Sequence, residues 1–240
     1  MLPVAILAGG LATRLRPITT TIPKAMVEVA GKPFIHHQLT YLKAQGVQDV
    51  VMCIGYLGEM IEADVGDGST FGLTVKYSPD GFKLLGTGGA LKQALPLLGE
   101  AFFVLYGDSF LPIDFAAVER DFESSSKPAL MTVLENGDRW DKSNVVYRNH
   151  QIVEYNKLQA RPQMAHIDYG LGILRREVFE GTPDGEAFDL AQIYHQLSVA
   201  GELAGYEVHQ RFYEIGSFEG LKETEEFLKN QATIHGTSLI

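Results

Sequence analysis

Short runs of apolar residues recur along this chain, separated by stretches of helical period. VAILA (Val4–Ala8), DVVMCI (Asp49–Ile54) and AFFVLY (Ala101–Tyr106) show little alternation, residues 129–134 extend the series, and residues 73–77 read as a further strand. Unalternated runs of this length predict strands buried on both faces, as in the interior of a parallel sheet. Between them, Phe34, Ile35, Leu39 and Leu42 recur at helical spacing and Gly46 ends the element. Further helices are predicted at 57–65, from about Ala90, over 112–122 and over 187–197, with a last strand at Leu203–Val208. Strand alternating with helix predicts right-handed parallel crossovers and an open α/β sheet.

The pattern changes after residue 135. Short alternating runs at 144–147, 152–155 and 166–174 predict hairpin-like pieces, a small antiparallel annex closing one side of the site. The fold class is therefore α/β: a Rossmann-like open sheet, mixed but mostly parallel, flanked by helices and carrying that annex. Residues 1–231 are expected to form one domain, and 232–240, which lack periodicity, a frayed tail.

At 240 residues and 45% hydrophobic, the chain can bury one large core. A formal net charge of −10 disfavours nucleic acid and anionic membranes as partners. The single cysteine, Cys53, lies inside an apolar run and reads as a buried strand thiol. With no signal peptide and no apolar run of membrane-spanning length, a soluble cytoplasmic protein is expected.

Chemistry concentrates at strand ends. The first run stops at Ala8, and Gly9-Gly10 let the backbone approach a ligand without a Cβ in the way. Arg14, Arg16 and Lys24 follow, with Pro17 and Pro23 preventing one long helix. A buried strand, a bare turn and spaced cations suit a polyphosphate. Neither the G-x-G-x-x-G fingerprint nor a P-loop lysine is present. Gly86, Gly88 and Gly89 surround Thr87 just before a helical pattern, a flexible loop able to close over a flat ring. Asp108 follows the Ala101–Tyr106 run, where an unpaired carboxylate calls for a cation or a substrate hydroxyl. His36 and His37 point to different sides of one helix and read as structural or surface residues.

The first stretch resembles the G-G-x-G-T-R…P-K-P signature of the sugar-1-phosphate nucleotidyltransferases. Gly9, Gly10, Thr13, Arg14, Pro23 and Lys24 match it, while Ala12 and Ala25 replace a glycine and a proline. Gly86 to Leu91 match the family's base-lining G-T-G/A-G-A/P-L stretch, and Asp108 its metal-binding G-D aspartate. Lys157 stands at the E-K lysine, with Glu154 nearby rather than adjacent. Asp168 and Gly170 stand near the family's asparagine before an A/G-G pair, and Asn144 at a frequent glycine. Phe212, Glu214, Gly216 and Leu221 match the closing W-x-D-x-G-x-x-x-x-L frame, with glutamate for the second metal aspartate. A structural Glu214 is the rival reading.

The resemblance implies a nucleotide-diphospho-sugar transferase fold, with a nucleotide half at about 1–110 and a sugar-phosphate half at about 111–231. It implies NTP plus sugar 1-phosphate giving NDP-sugar and pyrophosphate, as in cell-envelope polysaccharide precursor synthesis. Arg14 would hold the β- and γ-phosphates, Lys24 the α-phosphate, Lys157 the sugar phosphate, and Asp108 with Glu214 a Mg²⁺ ion. Ala8, Gly9, Gly10, Thr13 and the Gly86–Gly89 stretch would contact the nucleotide. Asn144, Glu154, Asp168 and Gly170 would contact the sugar. Uridylyltransferases acting on N-acetylmuramic acid 1-phosphate and guanylyltransferases acting on mannose or heptose 1-phosphate are the single-domain members it resembles. A cytidylyltransferase of aminoalcohol phosphates and a silent NDP-sugar-binding relative stay open. So do the base, the sugar, and the choice between a monomer and a small homo-oligomer.

Overall fold

The computed structural model describes residues 1–234. In chain order the strands and helices are β1 (Val4–Ala8), β2 (Glu28–Val29), β3 (Lys32–Pro33), α1 (Phe34–Ala44), β4 (Asp49–Ile54), α2 (Gly58–Val65), β5 (Thr74–Pro79) and α3 (Gly86–Ala94). There follow β6 (Ala101–Tyr106), β7 (Ser109–Phe110), α4 (Phe115–Ser125), β8 (Ala129–Glu135), β9 (Val145–Arg148), β10 (Gln151–Tyr155) and β11 (His166–Arg175). Last come α5 (Leu190–Val199), β12 (Leu203–Val208), β13 (Tyr213–Glu214) and α6 (Phe218–Ile234).

Nine strands form one sheet in the order β5-β4-β1-β6-β11-β8-β12-β10-β9. The β5-β4-β1-β6 half is parallel throughout. Beyond it, β11 runs antiparallel between β6 and β8, β12 lies parallel to β8, and the β9-β10 hairpin closes the edge. The antiparallel pieces expected as an annex are thus continuous with the main sheet, and β11 occupies its centre.

The unalternated runs serve two cores. Val4 and Ile6 of β1, with Phe103 and Leu105 of β6, pack with Ile35 and Leu39 of α1 and Phe115 of α4. Ala5, Phe102 and Val104 face Leu91 of α3 and Ile193 of α5 on the other side. Period-two alternation sends successive apolar residues into opposite layers, so no position in the strand is free to be polar. A third, smaller core of Val29, Phe34, Phe110, Ile215 and Leu228 ties α6 to the β2-β3 hairpin and to the β7-β13 pair.

Boundaries differ where caps decide them. The 112–122 helix begins at Phe115 because the Asp114 carboxylate accepts from the Ala117 amide at 3.0 Å. The 187–197 helix begins at Leu190, capped by Asp189. Helix α3 starts at Gly86, four residues ahead of Ala90, so Gly88 and Gly89 lie in a helical turn and not in a loop, after a left-handed Gly86 (φ 68°). Of the expected tail, 232–234 continue α6, and 235–240 lie outside the described residues. His36 pairs with Asp64 and His37 with the Val29 carbonyl, both structural contacts. No helix of the described residues is long and apolar enough to cross a membrane.

Candidate active site

Two adjoining clefts open at the carboxyl ends of β1 and β6. The first, about 240 Å³, is lined by Ala8, Gly9, Gly10, Ala12 and Lys24 on one side and by Asp80, Gly86 and Thr87 on the other. The second, about 400 Å³, is lined by Asn144, Lys157, Asp168, Gly170, Arg211 and Glu214, among others. Tyr106 and Asp108 belong to both.

Close backbone packing makes the floor of the first cleft. A Cβ at Gly107 would lie 2.9 Å from the Leu7 carbonyl, so only glycine lets β6 turn against β1 there. Gln38 of α1 then clamps the turn, its amide donating to the carbonyls of Tyr106 (2.9 Å) and Ser109 (2.8 Å). Asp108, held between these anchors, accepts from Lys24 Nζ at 2.6 Å. The lysine rises from a short turn after Pro23. Ala12 holds a left-handed conformation (φ 48°, ψ 44°), and its carbonyl accepts from Thr19 Oγ1 at 2.7 Å. The strained alanine is thereby fixed by its own loop. Cys53 is buried in this cleft's wall, and burial pushes its thiol up to about 12. Asp80 is also buried there, which raises its carboxyl, while the Leu85 amide, donating at 3.1 Å, opposes the rise.

The second carboxylate arrives from far along the chain. The β7-β13 ladder sets Glu214 opposite Ser109, and the Ile215 amide donates to the Asp108 carbonyl at 2.9 Å. Poor hydration within the cleft raises the Glu214 carboxyl above its ordinary range, and the neighbouring Asp108 charge adds to this. Arg14 and Lys24 pull the other way. Deeper in the second cleft, burial pushes Asp168 up to about 6, against the Gly170 amide, which donates to its Oδ1 at 3.0 Å. The Asp168 amide in turn donates to Asn144 Oδ1 at 3.0 Å, so those two residues form one bracket.

Several expected residues stand elsewhere. Thr13 and Arg14 are exposed and line neither cleft, although the Arg14 charge reaches Glu214. The Gly88 and Gly89 amides both donate to the Phe188 carbonyl and so are not open to a nucleotide. A Cβ at Gly88 would overlap the Phe188 ring, and one at Gly89 the Glu186 carbonyl. These glycines serve packing. Glu154 lines neither cleft and pairs with Arg161 at 3.2 Å. Lys157 meets Asp189 at 3.3 Å, a carboxylate the sequence analysis did not single out. Gln38, Asp80, Tyr106 and Arg211 were also missed. Asp189 alone carried a sequence signal, as an N-cap before an apolar run.

A Gly-Gly turn, an aspartate at a strand end paired with a lysine from the loop after Pro23, and a second carboxylate form a site suited to phosphorylated substrates, in the crevice where open α/β sheets bind ligands. The chain belongs to the nucleotidyl transferase family, whose model matches residues 4–146, and within it to the sugar-1-phosphate nucleotidyltransferases. It is 33% identical over 229 residues to the N-acetylmuramate alpha-1-phosphate uridylyltransferase of Neisseria meningitidis serogroup B, across 92% of this chain and 95% of that one. It is 32% identical over 191 residues to the D-glycero-alpha-D-manno-heptose 1-phosphate guanylyltransferase of Campylobacter jejuni, across 80% and 84%. Among solved structures, HddC from Yersinia pseudotuberculosis complexed with GMP-PN matches with a TM-score of 0.80 at 27% identity, across 95% of this chain and 100% of that one.

Proposed function

We propose that the first cleft takes an NTP and the second a sugar 1-phosphate, and that the two are joined at the α-phosphate to give an NDP-sugar and pyrophosphate. The observation that carries this reading is that the clefts meet at Asp108, with Lys24 2.6 Å from it. Residues of about 1–110 supply most of the nucleotide side, and those of about 111–231 most of the sugar side.

The difficulty of the reaction is electrostatic. A sugar 1-phosphate has a second pKa of about 6 and is mostly a dianion at neutral pH, so it needs no general base to become nucleophilic. It must instead approach another polyanion, and each charge pair repels by about 1 kcal/mol at ~4 Å in water and by more in a dry cleft. Lys24 would leave Asp108 for the α-phosphate, and Lys157 would hold the sugar phosphate. Arg14, on the rim, would meet the β- and γ-phosphates. Ala8, Gly9 and Gly10 offer close backbone approach, and Gly86 and Thr87 border the base. Asn144, Asp168 and Gly170 would orient the sugar. An oxygen of the sugar phosphate bonds to the α-phosphorus as the bond to the β-phosphate breaks, and pyrophosphate leaves with that electron pair.

The donor set suits Mg²⁺: Asp108 and Glu214 are hard oxygen ligands, and burial, with the neighbouring Asp108 charge adding to it, raises the Glu214 carboxyl, a cost that a bound cation would relieve. When bound, the ion would neutralise charge developing on the phosphates. Among the described residues no cluster of three or more such protein ligands forms, which leaves coordination positions to phosphate and water.

The test is pyrophosphate release over the four NTPs against a panel of sugar 1-phosphates, beginning with UTP and GTP because the relatives are named as uridylyl- and guanylyltransferases. Release with one pair supports the reading. No release with any pair, alongside measurable NDP-sugar binding, would make the chain a silent binding relative.

A further inference from the structure

Asp189 lines neither cleft, yet it touches one residue of each. Its Oδ1 accepts from Thr87 Oγ1 at 2.9 Å, and Thr87 belongs to the first cleft. Its Oδ2 accepts from Lys157 Nζ at 3.3 Å, and Lys157 belongs to the second. The Thr87 hydroxyl also accepts from the Leu190 amide at 2.8 Å, and Asp189 Oδ1 from the Ala191 amide at 3.0 Å. The start of α5 is thus sewn to the start of α3 by two reciprocal side-chain bonds. Only the remaining carboxylate oxygen reaches Lys157.

We propose that Asp189 is a positioning residue: it holds the Lys157 ammonium at the second cleft and fixes it relative to Thr87, so that one carboxylate sets the spacing between nucleotide and sugar phosphate. This rests on the proposed function for the identity of the two ligands. Lys157 sits on a segment with exposed neighbours from Leu158 to Pro162, and a free lysine there would sample many rotamers. Restraining it before the phosphate arrives lowers the ordering cost of binding. Asn156, directly before Lys157, carries no charge and turns back to the Leu158 and Gln159 amides, so no chain neighbour supplies the restraint.

A purely capping Asp189 would matter to stability alone, and Asp189→Asn separates the two roles. The amide keeps an oxygen for Ala191 and Thr87 but removes the charge bonded to Lys157, while the Asp168 charge still acts on it. The expected result is a rise of about tenfold in KM for the sugar 1-phosphate, with KM for the NTP and the unfolding midpoint little changed. Thr87→Val should raise KM for the sugar 1-phosphate in the wild-type background and leave it unchanged in the Asp189→Asn background, because the link is already cut. Calorimetric titration with inorganic phosphate makes the same comparison without turnover. Equal sugar-phosphate KM or equal phosphate affinity in wild type and Asp189→Asn overturns the proposal, and so does tighter binding by the variant. An inactive wild type whose phosphate affinity still falls on substitution overturns the assigned reaction and leaves Asp189 its role.

Discussion

Lys24 Nζ and Asp108 Oδ2 lie 2.6 Å apart, joining residues separated by 84 positions at the point where the two clefts meet. The pair is half-buried, so the lysine is held at the place where two phosphorylated ligands would converge. Lys24→Ala should lower kcat/KM by about 100- to 1,000-fold, the usual cost of removing one preorganised donor from developing negative charge. The far-ultraviolet circular dichroism spectrum should be unchanged. Near-wild-type turnover would remove Lys24 from the chemistry.

Chelation should abolish pyrophosphate release, and added Mg²⁺ should restore it. Asp108→Asn should raise the Mg²⁺ concentration for half-maximal rate by at least about tenfold, since a hard cation loses a charged oxygen ligand. The raised carboxyl of Glu214 makes the Mg²⁺ requirement steeper as pH falls, because protonation removes that ligand. Glu214→Gln should weaken the requirement's pH dependence. A Mg²⁺ titration at several pH values reads both effects.

Asp168 gives a stability prediction with a definite sign. Burial raises its pKa from the ordinary carboxylate value to about 6, so the folded chain holds this proton more tightly than the unfolded one. Its contribution to stability therefore falls as pH rises from about 4 to about 6, and the cost is fully present above that window. Asp168→Asn keeps an oxygen for the Gly170 amide and has no charge to bury. Urea unfolding at pH 4.5 and 7 should show the variant gaining relative to wild type at the higher pH. A gain independent of pH would contradict the assignment.

Two glycines should respond in opposite ways. Nothing lies within 4 Å of a Cβ built on Gly10, so Gly10→Ala should change stability by less than about 0.5 kcal/mol. Its methyl would stand in the first cleft and lower kcat/KM. Gly88→Ala would drive a methyl into the Phe188 ring, costing about 1–3 kcal/mol by overpacking. Chemical denaturation beside steady-state kinetics distinguishes the two.

Local chemistry was readable where one stretch of chain carries it. The Val4–Ala8 run, the Gly9-Gly10 turn, Lys24 and Asp108 needed only the rules for buried strands and their carboxyl ends. Gly88 and Gly89 looked like ligand-facing amides because a string gives no hint that the Phe188 carbonyl, about a hundred residues on, takes both. Glu154 was expected at the sugar from the E-K frame, whereas it pairs with Arg161 outside both clefts, and Lys157 meets Asp189, 32 positions on. Gln38 passed unnoticed in a helix whose apolar spacing explained everything else about it. In each case the missing information was which group from a distant part of the chain came to rest beside the residue.

Because β11 runs down the middle of the sheet and bonds to β6 on one side and β8 on the other, the platform beneath both ligands has no seam. Rotation of one half against the other would break ladder hydrogen bonds along that strand's length. Any tightening around bound substrates would come from exposed side chains at the rim, such as Arg14, while Asp108 stays still.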